Sequence, residues 1–392
     1  MVWVDSLAVG PLSLLRRGWP VSAMCSGAVP EGERIMDRHE TGQRRGHRAG
    51  ALHDDGRVVA VTGACGYLGS KLIQAMEEDR TFYKVLAIDV RKPPFPLAKT
   101  QFHRIDLTLP TAGSAVASVL AREGVDTVVH LAFLSDFTPR SEWAHELESV
   151  GTMHVLNACS ECRVDRYIHW SLTALYGARP ENPNFITEDR PLPDFGEMNF
   201  LADKVEAERQ VAQFRGENPE TAVAVLRTAP IVGPQISNFL TRFLKRRLVP
   251  VLMGYDPLIQ LIHEEDAFNA FWKVLKSRVD GVYNIVGRGV LPLVTTLGLM
   301  GRVPVPVPTS LATQVARLFW LFQISNVPPG FWGFLRYLLV ADGSKAQAEL
   351  GWRSERHLLD VVGDFSGIAP PVDVSPEARQ TGQIAAERAV RS

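Results

Sequence analysis

One stretch of this chain limits its fold more than any other. An apolar run, Val58–Val61, leads into Thr62-Gly63-Ala64-Cys65-Gly66-Tyr67-Leu68-Gly69, and Ser70-Lys71-Leu72-Ile73 continues as a helix. In such a turn Gly63 permits the sharp reversal and Gly66 lets the backbone come close to a pyrophosphate. Gly69 lets the helix lie close against the strand. The helix N-terminus then offers unpaired N–H groups and a partial positive charge to an anion. A second apolar strand, Val85–Ile88, ends at Asp89, where a carboxylate that accepts from a ribose is expected. The stretch therefore calls for a parallel sheet with a dinucleotide at the carboxyl ends of its strands.

The rest of the chain can supply that sheet. From Arg57 onward, short apolar runs alternate with helical stretches, which predicts a doubly wound α/β architecture with right-handed crossovers. Strands are expected at 58–62, 84–89, 101–105, 126–131, 166–171, 222–227 and 282–286. Helices are expected at 67–79, 111–122, 141–163, 199–215, 236–247 and 265–277. A content of 46% hydrophobic residues in 392 is ample for a core, and a net charge of -1 gives no nucleic-acid surface. No internal repeat is present.

Residues 1–56 are rich in Gly, Arg and Pro and lack periodicity, which predicts a disordered leader. Arginines follow its apolar part instead of preceding it, the wrong order for a secretory signal, and Met36 or a later codon is an alternative start. Residues 366–392 read as a disordered tail. The four cysteines are Cys25, Cys65, Cys159 and Cys162. They are too few for a disulfide framework, which suits a reducing cytoplasm. Cys159 and Cys162 are read as helix thiols one turn apart, because a zinc site would need a second ligand pair. After Val286 the pattern shifts. Gly301–Pro308 is a valine strip broken by prolines, Ser310–Ile324 reads as an aromatic helix stopped by Pro328-Pro329-Gly330, and Phe331–Val340 is a second apolar run. Both runs are too short to cross a bilayer. They suit a lid over an apolar substrate, a dimer surface or, less favoured, an interfacial contact with a membrane.

Several matches in order along the chain resemble the extended short-chain dehydrogenase/reductase family, the NAD-dependent epimerases and dehydratases. The likeness covers residues 57–365. Thr62, Gly63, Gly66 and Gly69 match the family's T-G-x-x-G-x-x-G. Asp89 matches its ribose ligand, Asp106-Leu107 the pair beside the adenine, and His130-Leu131-Ala132 the H-x-A turn whose backbone faces the cofactor. Leu226-Arg227 through Val232-Gly233-Pro234 resembles the L-R-x-x-x-x-Y-G-P segment, and Leu261–Asp266 the later F-V-H-V-x-D element. The resemblance implies a Rossmann-type sheet with a small C-terminal substrate lobe drawn mainly from 180–200, 231–262 and 290–365. It implies cofactor contacts from Gly63, Cys65, Gly66, Tyr67, Leu68, Gly69, Asp89, Asp106, Leu107, Leu131, Ala132 and Lys204. Asp89 favours NAD over NADP, because a carboxylate repels a 2′-phosphate. Arg91 and Lys92, which could soften that preference, read as solvated cations. The helices at 141–163 and 199–215 imply a possible homodimer.

The resemblance breaks at the chemistry. Family catalysis uses a Ser or Thr hydroxyl on the substrate oxygen, a tyrosine as acid/base, and a lysine four residues on that binds the nicotinamide ribose and lowers the tyrosine pKa. Here the segment is Phe200-Leu201-Ala202-Asp203-Lys204, with phenylalanine at the tyrosine position. Leu172 stands at the hydroxyl position, flanked by Ser171 and Thr173. The candidate catalytic residues are therefore Lys204, Thr173, Ser171 and Tyr176, with Asp203, Glu188 and Asp189 as further proton carriers. Two functions stay open: an NAD-dependent epimerase, dehydratase or reductase with altered catalysis, and a non-catalytic NAD-binding sensor or scaffold. His130 and His263 read as structural. The Arg242, Lys245, Arg246, Arg247 cluster reads as a solvated helix face, with a nucleotide-sugar diphosphate as the alternative. Gln260 and Tyr255 fall near the substrate cleft. The apolar 310–340 region favours a hydrophobic small-molecule substrate over a nucleotide sugar.

Overall fold

A computed structural model describes residues 56–96, 98–134, 141–196, 198–322 and 329–368. Cys25, Met36 and nearly all of the expected leader and tail lie outside the described residues. The last helix runs through Ser366, so the tail expected from 366 overlaps its end.

Seven strands form one parallel sheet: β1 (Arg57–Thr62), β2 (Phe82–Asp89), β3 (Thr100–Arg104), β4 (Thr127–His130), β5 (Arg166–Leu172), β6 (Ala222–Thr228) and, later in the chain, β11 (Gly281–Ile285). Their order is β11-β6-β5-β4-β1-β2-β3. The order reverses between β1 and β4, which opens a crevice at the carboxyl ends of those strands. The runs are apolar on both faces because helices cover both. On one face α1 (Tyr67–Glu78) packs Leu68, Leu72, Ile73 and Met76 with residues of α7 (Glu264–Lys276). On the other, α2 (Ala112–Glu123) and α4 (Gly151–Cys162) bury Val116, Leu120, Val155 and Cys159 beside α5 (Asn199–Glu217).

The expected 141–163 helix is interrupted. It begins as α3 (Ser141–His145), widens into a π turn over Glu146–Val150, and resumes as α4. The wider turn buries Glu148 and Ser149. Such single π turns are rare and concentrate at functional sites.

The lobe beyond β6 holds β7 (Ile231–Val232), α6 (Phe239–Leu244), β8 (Leu248–Leu252), β9 (Leu258–Ile259), β10 (Ile262–His263), β12 (Leu291–Pro292), α8 (Leu293–Leu299), β13 (Val303–Val307), α9 (Thr309–Leu321), α10 (Ser344–Leu350) and α11 (Leu358–Ser366). The helix expected over 236–247 is shorter, because Asn238 caps it through the Thr241 N–H at 2.8 Å and Arg246-Arg247 already lead into β8. The valine strip is β13, parallel to β8. A 3₁₀ turn at Pro329–Leu335 follows α9. The lobe has its own core of Phe243, Val249, Val251, Leu293, Leu297, Val361 and neighbours.

Candidate functional site

The glycine turn closes as its sequence requires. Gly63 has φ +66°, and a Cβ there would lie 2.5 Å from the Leu131 carbonyl at the end of β4. A Cβ on Gly69 would lie 2.4 Å from the Gly63 carbonyl, so only glycine lets α1 sit this close to β1. Gly66 is exposed and borders the cleft, and its missing side chain leaves the mouth of α1 open. No side chain caps α1, and its first turn holds no acid, so its leading N–H groups remain for an anion.

Around this cradle, Thr62 Oγ1 accepts from the Leu131 and Ala132 N–H groups at 3.2 and 3.3 Å and lies 2.8 Å from His130 Nδ1. His130 is buried, stacks on His169, and its Nε2 lies 3.2 Å from Thr152 Oγ1. Burial holds both imidazoles well below their usual pKa, His169 at about 3, so they are neutral joints. His263 accepts from the Glu265 N–H at the start of α7. The Asp89 carboxylate accepts from Cys65 N at 2.9 Å and from Arg91 N at 3.0 Å, which fixes it at the end of β2 beside the turn. Arg91 and Lys92 are exposed. Asp106 accepts from Thr108, and Leu107 is buried next to it.

A cleft of about 510 Å³ runs from this turn into the lobe. One end is formed by Gly66, Tyr67, Leu68, Leu131, Phe133 and Leu134; the far wall by α6 and the 3₁₀ turn, with Phe239, Phe243, Phe331 and Phe334. Among the described residues, no Asp, Glu, Lys, Arg or His lines it. Its polar groups are hydroxyls and amides, among them Thr173, Ser237, Asn238 and Gln260. Gln260 is itself held by the Ala341 backbone, at 3.0 Å in both directions. Tyr255 is not part of the lining; Arg336 stacks on its ring. Arg242, Lys245, Arg246 and Arg247 are exposed and outside the cleft.

The altered positions meet in this cleft. Phe200 and Leu172 both line it. Strand alternation explains the register: Trp170 and Leu172 point into the cleft, so Ser171 between them faces the other way. There its hydroxyl donates to Glu208 Oε2 at 2.5 Å. Glu208 also takes Arg227 Nε at 2.8 Å, Arg227 Nη1 donates to the Tyr176 hydroxyl at 2.8 Å, and that hydroxyl donates to Asn284 Oδ1 at 2.8 Å. Ser171 and Tyr176 are thus members of a buried network that joins β5, β6, β11 and α5. Burial raises the Tyr176 pKa, which keeps the phenol a neutral donor. Glu188 accepts from Asn284 N at 2.7 Å, and neither Glu188 nor Asp189 reaches the cleft. Thr173 does line it, is buried, and its hydroxyl makes no hydrogen bond with the described residues.

Lys204 lies one turn beyond Phe200 on α5. It is buried, and its Nζ donates to Glu148 Oε1 at 2.6 Å. The same oxygen accepts from Leu134 N at 2.6 Å. The Phe133 ring covers the ammonium with its centroid 3.1 Å away, and Phe200 lies 4.7 Å away. Phe133 in turn stacks on Trp170 at 4.5 Å. Burial lowers the lysine pKa to about 8, and burial raises that of Glu148. The lysine therefore sits behind the cleft wall, paired with a carboxylate that the sequence analysis did not single out. Its signal was an acid in an apolar helix stretch, visible only once the π turn brings it inward. Asp203 lies beside it, with one oxygen on His145 Nδ1 at 2.8 Å and the other buried without a partner among the described residues.

Residues 59–286 match the model of the NAD dependent epimerase/dehydratase family. The chain belongs to that family. It is 30% identical over 328 residues to an uncharacterized protein of Mycobacterium tuberculosis, covering 81% of this chain and 86% of that one. It is 23% identical over 295 residues to the sterol-4-alpha-carboxylate 3-dehydrogenase, decarboxylating, of Saccharomyces cerevisiae, covering 73% and 75%. Among solved structures it is similar to the UDP-glucose 4-epimerase of Thermus thermophilus in complex with NAD, at 18% identity and a TM-score of 0.61 over 79% of this chain and 98% of that one. The Rossmann-type fold expected from the sequence is confirmed. No helix among the described residues is long and apolar enough to cross a membrane.

Proposed function

We propose that this family member is an NAD-dependent dehydrogenase or reductase that acts on an apolar hydroxyl or keto compound through altered catalytic residues. The observation that carries the reading is the cleft lining, which among the described residues has no charged side chain. A nucleotide sugar brings a diphosphate, whose burial without a cation is costly. An apolar ring system gains from the same walls, at about 25 cal/mol per Å² covered. The named activity of the yeast relative, on a sterol, agrees with this choice.

The residues at the turn suit a nicotinamide dinucleotide. The open mouth of α1 at Gly66 suits its pyrophosphate, and Asp89 suits the adenosine ribose and favours NAD over NADP. Tyr67, Leu68 and Leu131, which line the cleft, and Ala132 suit contacts toward the nicotinamide, and Cys65, Asp106 and Leu107 contacts toward the adenine. When bound, the dinucleotide supplies or accepts the hydride. Thr173 holds the substrate oxygen by its unengaged hydroxyl. Phe200 and Leu172 exclude water from that end of the cleft. Lys204, cationic below about pH 8, acts on the ribose hydroxyls once the Phe133 ring swings from it. Without the usual phenol, the proton passes through Thr173 or solvent, and turnover is slow, by about 10²- to 10⁴-fold for one missing acid/base.

The Lys204–Glu148 pair behind the Phe133 ring also favours a second reading, a cofactor-binding sensor that does no chemistry. One experiment separates the two. NADH oxidation is followed with a panel of apolar cyclic ketones and, in parallel, of UDP-sugar substrates. The first reading predicts slow turnover of an apolar ketone, lost in Thr173→Val and raised in Leu172→Ser/Phe200→Tyr. Binding without turnover by either protein supports the sensor, and turnover confined to UDP-sugars contradicts the apolar substrate. A homodimer through α4 and α5 is part of the proposal; Met153 on α4 is exposed on its surface.

A further inference from the structure

The lobe that walls the cleft has an unusual surface. Its segments 231–255 and 281–341 contain eight basic residues (Arg242, Lys245, Arg246, Arg247, Arg288, Arg302, Arg317, Arg336) and no Asp or Glu. Nine of the fifteen exposed large hydrophobic side chains of the described residues lie between Leu248 and Ile368, so the apolar exposure is concentrated where acids are missing. On α9 and at the residue that follows it, Leu311, Leu318 and Phe322 are 51–68% exposed and recur at i, i+7 and i+11, one helical face. Arg317 is exposed beside them. On the two-stranded β8–β13 ribbon, Leu248 and Val303 are exposed register partners and Val305 follows. Arg246 and Arg247 lead directly into that ribbon and are exposed. Among the described residues, Arg246, Arg247 and Arg317 make no ion pair. The nearby acids are engaged: Asp256 accepts from the Val294 N–H and Asp364 pairs with Arg356. Both α9 and β8 pack against the 3₁₀ turn whose Phe331 and Phe334 wall the cleft.

We propose that this lobe docks on an anionic lipid bilayer, with the exposed face of α9 and the β8–β13 ribbon in the headgroup region, so that the cleft exchanges apolar ligand with the membrane. A protein partner would be selected by paired charges and shape. A face of single apolar side chains beside unpaired arginines, with no carboxylate in segments 231–255 and 281–341, has the composition of an interfacial surface. The helix is too short to span, so the contact is peripheral. The inference goes beyond the proposed function and holds whether or not the cleft turns over a substrate.

The full chain is sedimented with vesicles of phosphatidylcholine alone and of phosphatidylcholine with phosphatidylglycerol. Binding is expected only to the second and is expected to weaken as salt shortens the screening length. At about 1 kcal/mol per arginine near such a surface, each loss weakens binding about fivefold, so Arg246→Glu/Arg247→Glu/Arg317→Glu loses about 10²-fold or more. Leu318→Asp/Phe322→Asp loses binding while circular dichroism and the melting temperature stay unchanged. Residues 1–55 are identical in all these proteins, so their arginines cannot produce the differences. Equal sedimentation of wild type and the triple variant, or equal binding to both vesicle types, overturns the proposal. So does a Leu318→Asp/Phe322→Asp protein that changes from dimer to monomer with its vesicle binding intact, which makes the face a contact between chains.

Discussion

Replacing Glu148 with leucine isolates what a buried ammonium costs this fold. Lys204 Nζ lies 2.6 Å from Glu148 Oε1, with the side chains 4% and 5% exposed. Removing one partner of such a pair costs about 3–5 kcal/mol, because the other charge stays buried. Proton loss sets a ceiling. Neutralising a lysine whose ordinary pKa is about 10.4 at pH 7 costs about 1.36 kcal/mol per pH unit, or about 4.6 kcal/mol. The Leu134 N–H also loses its acceptor, which adds about 1–3 kcal/mol. The expected loss is therefore about 4–7 kcal/mol at pH 7. Its pH dependence has a definite sign. The native pKa of Lys204 lies below its unfolded value, so between the two the unfolded chain holds more protons and stability rises with pH. Losing the carboxylate lowers the native value further and widens that window, so the deficit shrinks by about 1.4 kcal/mol between pH 7 and pH 8 and then holds level to pH 9, where wild type gains stability with pH at the same slope. Glu148→Leu/Lys204→Met removes both charges and recovers most of the loss. Urea unfolding followed by tryptophan fluorescence at pH 7 and pH 9 reads all three proteins. A loss below about 1 kcal/mol, the size of an exposed pair, or a double variant no more stable than the single one, would refute this picture of the lysine.

Gly69→Ala sets a Cβ 2.4 Å from the Gly63 carbonyl, so α1 must move off β1. Overpacking of this kind costs about 1–3 kcal/mol, and fluorescence titration is expected to show NADH affinity falling with it. Tyr176→Phe leaves Arg227 Nη1 and Asn284 Oδ1 short of a partner and is expected to cost about 1–3 kcal/mol in urea unfolding. The turnover of the folded fraction is unchanged; a large loss of turnover with stability intact would return Tyr176 to the chemistry. NADH affinity is expected to be flat below about pH 8 and to decline above it as Lys204 loses its proton, while Lys204→Met shows no inflection there.

The sheet was legible in the sequence because its strands are apolar on both faces and its turns are marked by glycine. The seven sheet strands and the expected helices lie within a few residues of their spans, apart from the 141–163 helix, which a π turn interrupts, and the 236–247 helix, which shortens to α6. Gly63, Gly69 and Asp89 occupy the places their spacing implied. Beyond Val286 the reading was coarser. The short ribbons β8–β13 and β9–β12, and helices α8, α10 and α11, carry no long periodic signal and exist through tertiary packing. The catalytic candidates were legible as residue types but not as contacts. Ser171 and Thr173 are equivalent neighbours of Leu172 in sequence; the strand pleat sends Ser171 to Glu208, and the end of β5 at Leu172, where a 3₁₀ turn begins, brings Thr173 back to the cleft. Glu148 left no motif, since its role depends on a local change of helix pitch. The uncharged lining was foreshadowed by the apolar 310–340 region, but more of it comes from α6 and the segment around Leu258, which are distant in sequence.

The central claim is that the open N-terminus of α1 and the Asp89 carboxylate hold a nicotinamide dinucleotide. Isothermal titration calorimetry of the full chain with NAD⁺, NADH and NADPH tests it most directly. One site per chain is expected for NAD⁺ and NADH, with NADPH weaker and the preference narrowed in Asp89→Ala. Absence of heat with all three on folded protein, or identical affinities that Asp89→Ala leaves untouched, would contradict it.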